Sequence, residues 1–158
     1  TVFERMDEKE KEGRYRRIEK QLEELLLKSE DPLARMATAC AVLHHKMDYF
    51  FWTGFYRLTD GKLVVGPYQG PLACQELEPH KGVCWAAADR QTSVVVPDVH
   101  AFPGHIACDA RSRSEITLPV FGSDGKVSAV LDVDSDLPDA FSDTDRLCLE
   151  RIAAMIYR

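Results

Sequence analysis

With 158 residues, 45% hydrophobic and 29% charged, the chain has the length and composition of one globular domain with a buried core. A net charge of −6 argues against a broad basic face, and so against nucleic acid as the principal partner. No apolar run nears the roughly 20 residues of a membrane span, and no signal-peptide pattern opens the chain, which starts on Thr1 as a chain trimmed upstream would.

Residues 7–29 are highly charged but carry Ile18, Leu22, Leu25 and Leu26 at helical spacing, which predicts an amphipathic helix. Asp31-Pro32 reads as N-cap and first position of a second helix. Along it Leu33, Met36, Cys40, Leu43 and Met47 recur at three- and four-residue steps, so Cys40 reads as core. Aromatic-rich residues 50–58 predict a strand, Asp60-Gly61 a hairpin turn, and 62–66 the returning strand. A short strand is expected over 73–78, a short helix over 82–90 and a strand over 94–96. Residues 97–113 show no periodicity, as irregular functional segments do. Strands are expected over 114–122 and 126–135 around Asp124-Gly125. A final helix starts from Ser142 and holds Cys148 in its apolar pattern. Hairpins dominate and alternating βα units are absent. The expected class is α+β: an antiparallel sheet with N- and C-terminal helices on one face and a ligand pocket on the other.

The second hairpin can be read residue by residue. With Asp124-Gly125 as a two-residue loop, Glu115 pairs with Asp134, Ile116 with Val133, Thr117 with Asp132 and Leu118 with Leu131. Side chains alternate between faces. One face is then apolar, and the other gathers Glu115, Thr117, Asp132 and Asp134. Three neighbouring carboxylates call for a cation, a shared proton or full solvation. They can bind an ammonium group or keep one acid protonated as a proton donor. Trp52 and Tyr56 share one strand face and can wall an apolar ligand group.

Five cysteines without a secretory signal favour free thiols over a structural disulfide framework. Cys108 lies in the irregular segment near His105, Arg111 and Arg113, whose charge favours a thiolate. Cys74 and Cys84 sit at loop–element junctions, and Cys84 has the stronger case for burial. A zinc site from Cys74, Cys84, Cys108, His100 and His105 is an alternative, but no paired Cys-x-x-Cys or His-x-x-x-His spacing supports it.

Several runs resemble the free methionine-R-sulfoxide reductase family of GAF domains. They are Gly66-Pro67-Tyr68-Gln69-Gly70, Leu72-Ala73-Cys74, Lys81-Gly82-Val83-Cys84, Asp98-Val99-His100, Gly104-His105-Ile106-Ala107-Cys108-Asp109-Ala110, Ser114-Glu115-Ile116 and Val130-Leu131-Asp132-Val133-Asp134-Ser135. The likeness covers residues 31–158, leaving 1–30 as an N-terminal amphipathic helix. It implies a GAF fold, a cytoplasmic homodimer, free methionine-R-sulfoxide as substrate, and a thioredoxin-like reductant. No cofactor and no metal are implied, and no nucleic acid or membrane partner.

By motif, the resemblance makes Cys108 the catalytic thiol, Cys74 the preferred resolving thiol and Cys84 a second candidate. Glu115 and Asp134 are the candidate proton donors. Asp132, Trp52 and Tyr56 line the substrate site, with the Ile106 and Ala107 turn offering backbone N–H groups to the substrate carboxylate. Trp85 after Cys84, and Pro79-His80 before Lys81, depart from the family pattern. The competing class is a non-catalytic GAF domain that senses a small molecule.

Overall fold

A computed structural model describes residues 5–105 and 108–158. Two long helices open the chain, α1 (Glu8–Leu26) and α2 (Pro32–Lys46). Asp7 caps α1 by accepting from the Glu10 N–H, and Asp31 caps α2 by accepting from Leu33 N–H at 2.9 Å, with Pro32 at the first position. Strands β1 (Trp52–Thr59) and β2 (Lys62–Gln69) follow, then α3 (Gly82–Arg90) and β3 (Val94–Val96). Strands β4 (Ser114–Phe121) and β5 (Val127–Ser135) precede the closing helix α4 (Asp143–Ala153). The five strands form one antiparallel sheet in the order β2-β1-β5-β4-β3. Among the described residues no helix is long and apolar enough to cross a membrane.

One sheet face meets α1, α2 and α4. Phe55, Ile116, Leu118, Val120, Ala129, Leu131 and Val133 pack there against Ile18, Leu22, Met36, Leu43, Leu149 and Ile152. Cys40 and Cys148 are buried in this layer as packing residues. Leu33 lies outside it, exposed at the start of α2. A charged hub joins α1 to α4. Asp145, fully buried, accepts from Lys11 Nζ at 2.7 Å, Tyr15 OH at 2.7 Å, Tyr49 OH, and the Ser142 N–H that completes the α4 capping box.

The other sheet face carries a second apolar cluster of Trp52, Tyr56, Val130, Val83, Trp85 and Ala87, with α3 laid across β4 and β5. Strand β2 runs to Gln69, beyond the expected end at residue 66. It passes through Pro67 at the irregularity between the Gly54–Tyr68 and Tyr56–Val65 pairs of this edge strand, where a missing N–H breaks no regular ladder. The strand expected over 73–78 is reduced to a single bridge between Val64 and Glu76. Its first residues are drawn away from the ladder by side chains of β1: Trp52 Nε1 donates to Pro71 O and Tyr56 OH to Cys74 O, each at 3.1 Å.

The β4–β5 register has Glu115 opposite Asp134 and Thr117 opposite Asp132, as the alternation predicts, but it arises differently. The loop is three residues long, closed by Gly122 N–H to Lys126 O at 2.7 Å, with Gly125 at φ +79°. That longer loop offsets the pairing by one residue. A bulge between Val120 and Phe121 restores it before the carboxylates are reached.

Candidate active site

The alternation of β1, β4 and β5 sends Trp52, Tyr56, Glu115, Asp132 and Asp134 to the face opposite the helical layer. Over them lie α3, residues of the 71–81 segment, and His105, Cys108, Asp109 and Ser112. Together they line a cavity open to solvent, with room for water over about 70 Å³. Its wall includes Trp52, Tyr56, Cys84, Cys108, Glu115, Asp132 and Asp134. Ile106 and Ala107, expected to offer backbone donors, lie outside the described residues.

Cys74 and Cys108 are joined in a disulfide, with Cα atoms 5.6 Å apart across 34 residues of sequence. Cys108 stands exposed at the cavity rim and Cys74 is half-buried. The Tyr56 hydroxyl anchors the Cys74 backbone, and the Trp52 indole anchors the chain three residues earlier. The aromatic wall therefore fixes the loop that carries one thiol as well as lining the cavity. Cys84, weighed above as a second resolving thiol, is a free thiol buried in the first turn of α3. Burial, with Asp132 and Glu115 nearby, pushes its pKa well above the ordinary thiol value.

The acidic face is largely shielded from bulk solvent. Glu115 and Asp132 are buried and Asp134 is half-buried. Desolvation is the first cause that raises all three acids above ordinary carboxylate values; the charge of Asp132 is next for Glu115 and Asp134. Glu115 and Asp134 face each other across the β4–β5 ladder, with Asp132 two residues along the same face. Burial and mutual repulsion thus push all three acids towards their protonated forms.

His105 Nδ1 lies 3.9 Å from Glu115 Oε1, and desolvation lowers the imidazole pKa, so the ring is held towards its neutral form. The expected cationic support of the Cys108 thiolate is thinner than the sequence suggests. Arg111 forms a two-pronged pair with Asp109 and lies over the Phe51 ring at 4.8 Å. That pairing holds the Asp109 carboxyl at about 2. His100 organises its loop, with its ring and N–H both on Asp98.

The sequence reading gives no role to two residues at the site. Tyr68 on β2 stands behind the cavity wall and stacks on Trp52 at 5.3 Å, extending the Trp52–Tyr56 stack to three rings. The signal is Gly54, directly opposite Tyr68: a Cβ there would fall on the Trp52 ring and 2.5 Å from Tyr68 Cβ. Lys81 is the one lysine or arginine among the described lining residues, exposed at the mouth and paired to Glu78 at 2.8 Å.

Comparison with known proteins agrees with this geometry. Residues 31–156 match the GAF domain family model. The chain is 40% identical over 147 residues to GAF domain-containing protein A of Dictyostelium discoideum, covering 92% of each chain. It is 41% identical over 124 residues to the free methionine-R-sulfoxide reductase of Escherichia coli K12, covering 78% of this chain and 74% of that one. The crystal structure of the free methionine-R-sulfoxide reductase of Neisseria meningitidis, in complex with its substrate, superposes with a TM-score of 0.89 at 40% identity, covering 99% of this chain and 92% of that one. On its sheet order, its roofed acidic cavity and these likenesses, the chain belongs to the GAF-domain family of free methionine-R-sulfoxide reductases.

Proposed function

We propose that this chain reduces the R epimer of free methionine sulfoxide to methionine. The supporting observation is the meeting of a disulfide-forming Cys108, at the rim, with buried Glu115 and Asp132 and half-buried Asp134 beneath an aromatic wall. The acidic floor suits the ammonium of a free amino acid, and the Trp52–Tyr56 wall its methylthio end. Lys81 at the mouth suits the carboxylate. A sulfoxide held within a polypeptide has no such ammonium to offer.

In the reduced protein the Cys108 thiolate attacks the sulfoxide sulfur. Glu115, kept protonated by its burial and by the two aspartates, hydrogen-bonds to the sulfoxide oxygen and donates a proton as the S–O bond breaks. The hydroxyl so formed passes to the Cys108 sulfur as the transient bond between the two sulfurs breaks, so methionine leaves with its sulfur reduced and Cys108 is left oxidised as a sulfenic acid. The Cys74 thiol condenses with it, releasing water and forming the Cys74–Cys108 disulfide. A thioredoxin-like dithiol then reduces that bond and is itself oxidised. We place this cycle in the cytoplasm, where such donors are abundant, and in a homodimer. Cys84 takes no part in the cycle: as a buried, protonated thiol it is a poor nucleophile.

The test is methionine release from each free sulfoxide epimer with a thiol reductant. Turnover is expected on the R epimer alone and is expected to vanish in Cys108→Ser. Turnover by that variant, or tight retention of the sulfoxide without reduction, would overturn the reading.

A further inference from the structure

The redox cycle leaves one group on the cavity floor unused. Cys84 Sγ, a carboxylate oxygen of Glu115 and one of Asp132 all lie within 4.8 Å of one another, on three buried residues. Oδ1 of Asp132 is buried without a hydrogen-bond partner, although its residue lines the cavity. The donors come from two rigid elements, the first turn of α3 and the β4–β5 ladder, so their spacing is built into the fold. This set differs from the zinc alternative raised by the sequence, two of whose thiols are joined in the disulfide.

We propose that Cys84, Glu115 and Asp132 form a binding site for a thiophilic divalent cation, zinc foremost, and that the ion excludes substrate from the same carboxylates. An ion central to such a triangle sits within about 2.8 Å of each donor. Closing that to about 2.3 Å for zinc–sulfur and about 2.0–2.2 Å for zinc–oxygen requires side-chain shifts of only about half an ångström to an ångström. Three protein ligands leave a fourth position open to cavity water, with Asp134 and His105 beside it. On binding, the Cys84 S–H proton and the proton that Glu115 holds both leave to solvent as the sulfur–metal and oxygen–metal bonds form, and no electron is transferred. The thiolate selects zinc or cobalt over magnesium and calcium, which take oxygen ligands. A dication also answers the crowding of the three acids more fully than an ammonium does. The exclusion of substrate rests on the proposed function; the binding of metal does not.

The test uses the full chain, reduced with a phosphine in thiol-free buffer and titrated with cobalt(II) or zinc(II). Cobalt is expected to give a sulfur-to-metal charge-transfer band at one ion per chain, abolished by equimolar zinc and unchanged by excess magnesium. Cys84→Ser is expected to lose the band and bind zinc at least tenfold more weakly. Asp132→Asn should keep the band with weakened affinity, and the double variant Cys74→Ser/Cys108→Ser should keep both. No band, or a band that survives Cys84→Ser and disappears in the double variant, overturns the site. Free methionine sulfoxide is expected to raise the apparent Kd for zinc in proportion to its concentration; an affinity indifferent to it overturns the exclusion. A protein that binds zinc as described but turns over neither epimer refutes the reductase reading and leaves the metal site standing.

Discussion

Replacing Glu115 by Gln keeps the side chain's shape but removes its ionisable proton. Burial and Asp132 raise the Glu115 acid above its ordinary value in the folded protein, so the native state holds a proton that the unfolded chain releases. The stability this contributes is complete below the ordinary glutamate value. It declines as pH climbs from there to the raised native value, and above that it is gone. The slope is about 1.4 kcal/mol per pH unit for one proton. At about 2–4 °C per kcal/mol for a chain of this size, each unit shifts the midpoint by about 3–5 °C. Glu115→Gln lacks this loss. Its advantage in Tm over the parent should therefore widen by up to that amount per unit between about pH 5 and the native acid's own titration. Thermal unfolding of both proteins in the disulfide form, followed by circular dichroism across that range, measures it. A gap that is flat, or that narrows with rising pH, would refute the assignment of a held proton to Glu115. Turnover should fall in parallel by about 10²–10⁴-fold, the usual worth of a positioned acid.

Cys74→Ser should release one methionine per chain in a burst and then stall with a thioredoxin-like donor; sustained multiple turnover would show that another thiol resolves Cys108. Gly54→Ala forces a Cβ into Trp52 and Tyr68, so it should cost about 1–3 kcal/mol of stability and raise KM for the sulfoxide, both readable from unfolding and initial rates. Gln91 ends α3 in the left-handed region at φ 54°, remote from the cavity wall. Gln91→Gly should add about 0.5–1 kcal/mol in urea unfolding with turnover unchanged.

The sheet face was legible because alternation is a strong signal: a one-residue slip would have placed Ile116, Leu118 and Leu131 on the wrong side. The Asp124-Gly125 loop was read one residue too short. The bulge that compensates it has no mark in the sequence, since Phe121 and Ser128 suit a regular strand equally well. The strand expected over 73–78 failed for a tertiary reason, the capture of Pro71 and Cys74 carbonyls by Trp52 and Tyr56, which no local pattern encodes. The carboxylates were located by pairing, but their shielding from solvent was not, because α3 and two irregular segments supply the roof. Tyr68, named only within a family motif, had no assigned place because Gly66-Pro67 imitates a strand end, whereas the edge strand β2 continues through an irregularity in its register. The pairing of Cys74 with Cys108 came from resemblance alone; burial of Cys84 in α3 was the part that residue patterning could reach.

The salt-bridged hub under α4 sets the smallest piece that can stand alone. A protein cut at residue 30, where the family match begins, would lose Lys11 and Tyr15 together. Asp145 would then be stranded in an apolar seam with Tyr49 and its own capping box for company, while Leu149 and Ile152 lost the greasy cover of Ile18 and Leu22. The loss of two donors to Asp145 together with that apolar cover is large against the marginal stability of an ordinary domain. The leading helix is thus a keel for the whole molecule, and shortened versions prepared for biochemistry should retain it from Asp7 onward.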